Sequence, residues 1–209
     1  MRPSKRGPQA RVWSALGALM FLAAVLVWAL HLPTQTWDWQ PQLVTSEPWR
    51  AWTGALVHWS QQHLLANLAA CAVVTLFGWG ARVPPRCALA WLLAWPLTQL
   101  ALLSQHDLPH FGGLSGILHA GVTVVLVELL WRGGRDRLIG ACVTLGLLIK
   151  LWQEQPLGTA LRHLAEWDIP VVPFSHLSGA VAGAICALIL LGIARSLEGH
   201  KALYKAKGV

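Results

Sequence analysis

Ser115 and His176 are the residues of this sequence best suited to nucleophilic chemistry. A serine hydroxyl attacks a carbonyl only when a base takes its proton, and a neutral imidazole is such a base. Ser115 stands in Gly112-Gly113-Leu114-Ser115-Gly116 and His176 in Ser175-His176-Leu177-Ser178-Gly179, and each string opens a long apolar run. Each also lies eight residues past an acid, Asp107 in one case and Asp168 in the other. Eight helical residues advance about 12 Å. The equal offsets place both side chains at similar depth, where they can meet. Acyl transfer needs, in addition, donors aimed at the developing oxyanion, each contributing about 2.7–4 kcal/mol. His63 and Asn67 are spaced i, i+4 and so project from one helix face. With the backbone N–H of Ser115 they form a candidate oxyanion site. Gly113 and Gly116 flank the serine, and Gly179 and Gly183 follow the histidine, so that backbone can approach backbone there.

Taken singly, each of these features has a plainer reading. Small residues are common at helix contacts in membranes, so Gly-Leu-Ser-Gly and Gly179-xxx-Gly183 are also packing patterns. A lone histidine in an apolar run is commonly a hydrogen-bonded packing residue. The combination favours chemistry. His119, one turn beyond Ser115 on the same face, is open to two readings, support of the site or a structural hydrogen bond. His58 is read as orienting the loop before the second apolar run, and Arg50 as an interface anchor. His31, His106, His110, His163 and His200 lie in loops or tails without readable chemistry. His106 and His110 are i, i+4, but Pro109 argues against a helix there, so no metal site is expected, and no cofactor either. Cys71, Cys87, Cys142 and Cys186 form no CxxC or Cys/His spacing and read as small buried hydrophobes.

The elements that must position these residues follow from composition. Of 209 residues 55 % are hydrophobic and 12 % charged, with 13 tryptophans to one tyrosine. A soluble domain carries about 25 % charged residues, so disorder, a coiled coil and a conventional cytosolic enzyme are excluded and lipid is the expected solvent. Apolar runs cover roughly 12–30, 62–80, 88–103, 115–131, 138–152 and 174–194. They predict six transmembrane helices in an all-α membrane protein. The first run is longer than a signal-peptide core and no small-x-small site follows it, so it is read as a retained helix. The fifth is the shortest and contains Lys150, read as snorkelling to the interface.

The formal charge of +7 would suggest nucleic acid, but its placement does not. Basic residues gather around 2–11, 82–86, 132–137 and 195–207, whereas Asp38, Glu47, Asp107, Glu154, Glu166 and Asp168 occupy the alternate segments. That alternation is the positive-inside pattern. It gives a basic cytoplasmic amino terminus (1–11), a membrane domain (12–195) and a basic cytoplasmic tail (196–209), with both termini cytoplasmic and no nucleic-acid partner. Runs two, four and six then all enter from the acidic face, the periplasm in a bacterium. Trp13, Trp79 and Trp131 at the basic ends, and Trp28, Trp37, Trp39, Trp152 and Trp167 near the acidic ends, read as aromatic belts. Trp91 and Trp95 read as packing residues.

Trp49-Arg50, His58, His63 and Asn67, then Gly113-Leu114-Ser115-Gly116 on the fourth run and His176-xx-Gly179-xxx-Gly183 on the sixth, resemble the rhomboid intramembrane serine proteases over roughly 47–195. The string Gly113 to His119 is most similar to the rhombosortase branch, with Ala120 a small departure. The resemblance implies a six-helix rhomboid-like bundle and a Ser–His dyad without an acidic third member. Ser115 would be the nucleophile, His176 the base and then the acid, and His63 and Asn67 the lining of the oxyanion hole. Gly113, Gly116, His119 and Gly179 would support the site. The residues agree on the dyad, since no acid lies at comparable depth near the sixth run, and Glu128 belongs to the opposite end of the fourth. The resemblance implies a bacterial inner-membrane endopeptidase acting on membrane-anchored exported proteins near the periplasmic face. For the rhombosortase branch the substrate tail would be Gly-Gly, an apolar helix and a basic end. Two alternatives stay open, a rhomboid protease of general single-pass substrates and a non-catalytic rhomboid-like protein that binds membrane segments. A small transporter or channel is disfavoured, because the polar residues cluster at one depth near one face.

Overall fold

Apolar runs of this length can satisfy their backbone in lipid only as helices or closed barrels, and the computed structural model, which describes residues 9–206, is helical. Among the described residues no strand occurs, only two isolated antiparallel bridges, Trp39–Phe111 and Arg162–Val171. The long helices are α1 (Gln9–Ala29), α2 (Gln61–Gly80), α3 (Pro85–Ala101), α4 (Ser115–Arg132), α5 (Gly134–Glu154) and α6 (Pro173–Ala206). Five of them, all but α5, are long and apolar enough to cross a membrane. The 21-residue α5 has the length but carries Arg135, Asp136 and Arg137 at one end and Lys150 and Glu154 at the other. Most of the basic amino-terminal stretch 1–11 lies outside the described residues, as do 207–209. α6 continues as helix past position 195 to Ala206.

Local chemistry sets the helix starts that matter. Ser60 caps α2, its side chain accepting from the His63 N–H at 3.0 Å; this side-chain bond satisfies one of the orphan donors of the first turn. Pro173 at the first position of α6 has no N–H to leave unpaired. Before α4, Gly113 takes φ +112°, where a side chain would be strained. α5 ends at Gln155 in a left-handed conformation, and the Arg162 guanidinium donates to the carbonyl of Glu154.

The buried core lies between α1, α2, α3, α4 and α6. α4 is central, touching α2, α3, α5 and α6. Its contact with α6 is very close: an added Cβ on Gly179 would overlap the Gly116 carbonyl, and one on Gly183 the Ala120 carbonyl. Small residues are what allow such an approach. Trp91 is fully buried, stacks on Trp13 at 4.3 Å and donates to the Ile117 carbonyl at 2.8 Å. Trp13 and Trp39 are therefore not belt residues. Both are buried, Trp13 against α2 and α3 and Trp39 in a second cluster with Ala51, Leu102, Leu108, Phe111 and Val172. Trp28, Trp79, Trp131 and Trp152 remain at the surface.

At the basic end Glu128 pairs with Arg86 at 2.8 Å and Arg132 at 3.1 Å, and Arg195 lies over the Trp131 ring. Cys71, Cys87 and Cys186 are buried as expected, whereas Cys142 is exposed on α5.

Candidate functional site

The starts of α2, α4 and α6 and the end of α5 meet at the end of the bundle opposite Glu128. Ser115 Oγ is 3.0 Å from His176 Nε2. The two residues paired by depth along separate runs thus form a hydrogen bond. Ser115 opens α4, so its backbone N–H is among the groups with no intrahelical acceptor and lies at the positive end of the helix dipole.

A cavity of about 540 Å³ opens onto this pair, bounded by α2, α4, α5, α6 and the segment 155–172. His63, Asn67, Ser115, His119 and His176 all line it. His63 is packed so closely on Gly113 that an added Cβ would touch its Nε2, and Asn67 Nδ2 lies just beyond. Asn67 spends one amide hydrogen on the His63 carbonyl at 3.0 Å, which leaves the second for a ligand. Gly116 and Gly179 set the α4–α6 approach, and the absence of a Cβ on Gly113 makes room for His63.

His119 makes the structural hydrogen bond expected of it and also touches the base. Its Nδ1–H donates to the Ser115 carbonyl at 2.7 Å, and its ring stacks on His176 at 4.2 Å with 15° between planes. That stacking limits the tilt of His176. His58 donates from Nδ1 to the Leu56 carbonyl at 3.1 Å and leans on His63 at 4.7 Å. Burial pushes its pKa down to about 3, so it stays neutral. The expected loop-orienting role of His58 fits this geometry.

Two sequence expectations need correction and a third gains a partner. First, His176 does have an acidic neighbour: its Nδ1 is 2.8 Å from Glu154 Oε2. The apolar run ends near 152, but α5 continues to Glu154, and the chain then returns to start α6 beside it. The carboxylate reaches His176 across a gap that depth along the sixth run does not measure. Secondly, Lys150 keeps its expected place near the acidic end of α5 and has a partner there. It is paired with Glu154 one turn away and lines the cavity. Thirdly, Arg50 is no interface anchor. It is buried, donates to the carbonyls of Gln35 at 3.0 Å and Asp38 at 2.9 Å, and pairs with the carboxylates of Asp38 and Glu47. His110 joins this cluster by a 2.8 Å contact with Asp38. Together with the Trp39–Phe111 bridge, it braces the loop that leads into Gly113.

The segment 155–172 covers the cavity and is pinned at both sides. Arg162 and Val171 exchange two backbone hydrogen bonds of 2.9 Å. Across the opening, Ser60 donates to Asp168 at 2.7 Å and Gln62 to the Glu166 carbonyl at 2.8 Å. Trp59, Trp167 and Arg162 line the mouth. These residues, with Glu154, carried no local signature. The one available signal was the Lys150/Glu154 i, i+4 pair closing the fifth run. Among the described residues no group of three or more metal-ligating side chains occurs. No protein-family model matches the chain.

Proposed function

We propose that this protein is an intramembrane serine endopeptidase of the rhomboid type. The observation that carries the reading is the 3.0 Å contact between Ser115 Oγ and His176 Nε2 at the mouth of a cavity among apolar helices. In the proposed reaction His176 Nε2 takes the hydroxyl proton as Ser115 Oγ attacks the scissile carbonyl. The resulting oxyanion faces the Ser115 N–H, the free amide hydrogen of Asn67 and the imidazole of His63. Collapse breaks the C–N bond, and the proton on Nε2 passes to the leaving amine. Water, deprotonated by the same nitrogen, then releases the acyl group from Ser115.

In this reading α5 is a sixth, less apolar span, both termini are cytoplasmic and the site opens to the periplasm of a bacterial inner membrane. The substrates are anchored exported proteins. The rhombosortase-like form of the reading is removal of a carboxy-terminal tail of Gly-Gly, apolar helix and basic end. Two features support a cleavage site at this face: the Arg86, Glu128 and Arg132 cluster lies at the opposite end of the bundle, and the cavity is lined from the amino-terminal halves of α2, α4 and α6.

The test is covalent labelling by a serine-directed fluorophosphonate in detergent or nanodiscs, paired with cleavage of a reporter carrying such a tail. The unaltered protein is expected to label and to cleave, and Ser115→Ala to do neither while still inserting. Cleavage by Ser115→Ala would overturn the assignment, and an unlabelled, inactive natural sequence would favour a binding protein. Asn67→Ala is expected to lower cleavage by about 10²–10³-fold, the usual loss for one oxyanion donor, because the Ser115 N–H and His63 remain. An unchanged rate would remove Asn67 from that role.

A further inference from the structure

We propose that Glu154 is a positioning residue for His176, so that the pair Ser115–His176 works as a Ser–His–Glu relay with its acid supplied by α5. The inference rests on the serine-peptidase reading above and goes beyond the dyad expected of such a site.

The argument starts from what a carboxylate can do. It accepts hydrogen bonds and donates none. At 2.8 Å from Glu154 Oε2, His176 Nδ1 must therefore carry the ring proton. Nε2 is then the bare lone pair, and it is the atom 3.0 Å from Ser115 Oγ. The contact selects the one neutral tautomer that can act as base toward the serine. When Nε2 takes the hydroxyl proton, the new imidazolium lies against an anion.

The carboxylate is itself held in place. Lys150 donates to Glu154 Oε1, so the two oxygens are divided between the lysine and the histidine. Arg162 donates to the Glu154 backbone carbonyl, which ties the covering segment to the end of α5. On its other face His176 is stacked by His119 of α4. The charged and titratable groups around the ring are thus His119 from α4, His63 from α2, Lys150 and Glu154 from α5, and Arg162 and Glu166 from the cover. Glu154 is the only acid among them with a contact to the ring within the described residues.

The arrangement has a consequence for α5. Of its residues only Gly140 and Leu151 are buried, and its main packing is against α4. Glu154 at its end is hydrogen-bonded to His176 of α6. Docking of the end of α5 therefore sets the tautomer of the base.

The test uses Glu154→Gln and Lys150→Met in the full-length protein. The rate of fluorophosphonate labelling is followed across pH, and the imidazole N–H protons of ¹⁵N-histidine-labelled protein are followed by NMR. Glu154→Gln is isosteric but can donate to Nδ1 and so stabilise the wrong tautomer. Labelling near neutral pH is expected to fall roughly 10²-fold or more. The acid limb of the profile should move to lower pH, since the imidazolium loses its anion. Lys150→Met removes the competing cation, so its acid limb should move the opposite way. A strongly downfield Nδ1 proton should be present in the natural protein, lost in Glu154→Gln and kept in Lys150→Met. Opposite shifts are not expected from a merely structural role. Superimposable profiles, shifts of the same sign, or a downfield proton unaffected by Glu154→Gln would overturn the inference. A natural protein that does not label at all would sink the peptidase reading instead, while the NMR signal would still decide whether Glu154 fixes the tautomer.

Discussion

Replacing Ser115 and His176 together by alanine is expected to slow cleavage no more than replacing either alone. Each single change should cost on the order of 10⁶-fold, because nucleophile and base act on one proton in one step. The structure gives the reason in a single distance: His176 Nε2 has Ser115 Oγ as its partner at 3.0 Å, and among the described residues neither atom has another side-chain hydrogen bond. Without the base, the hydroxyl keeps its proton. Without the hydroxyl, the base has only water to activate. Residual activity in all three variants should be similar and should reflect the oxyanion donors alone. Reporter cleavage measured for the two single variants and the double variant checks this. Losses that multiply would mean that the two residues act in separate steps, and the dyad would have to be abandoned.

Gly179→Ala is expected to slow the reaction as well, although Gly179 touches no reacting atom. The added methyl would overlap the Gly116 carbonyl oxygen, which is backbone and cannot rotate aside. The two helices must separate at that level, and overpacking of this kind typically costs about 1–3 kcal/mol. The rate should fall together with the stability. Gly116 follows Ser115 directly and Gly179 lies one turn beyond His176, so any separation moves the two reacting groups apart. A misplacement of about 1 Å can cost about 10²-fold. Labelling is therefore expected to drop by about two orders of magnitude, together with a fall in melting temperature. Gly192→Ala, on the same helix but with open space at its Cβ position, is the control and should behave as the natural sequence does. If Gly179→Ala labelled as fast as that control, the close α4–α6 approach would not be what aligns the pair.

How much of this was legible beforehand follows from where each constraint lives. The apolar runs and the face each residue occupies are local properties, fixed by the helical repeat and by caps such as Ser60. For that reason His63 and Asn67 could be assigned to one face, and Ser115 and His176 to one depth, without knowing how the helices pack. The glycines at 116, 179 and 183 were legible for the same reason, since close approach permits few other residues. Local patterns miscast Trp13 and Trp39. A tryptophan near a run's end looks the same whether it meets lipid headgroups or, like Trp13, another helix. Arg50 was miscast similarly: a basic residue outside a span looks exposed until Asp38, Glu47 and two carbonyls are seen to enclose it.

By itself, then, the sequence determined an all-helical, membrane-compatible chain, the candidate nucleophile and base, and the donors that could face an oxyanion. These depend on composition and on spacing within single helices. Only the tertiary structure decided that Glu154 stands at 2.8 Å from His176, that Lys150 holds it, and that 155–172 closes over the cavity. Those contacts join separate elements across turns of unspecified geometry. Helical period and residue offset carry no information about a neighbour's azimuth, and it is the packing of α4, α5 and α6 that turns an acid at the end of one helix toward the ring on another.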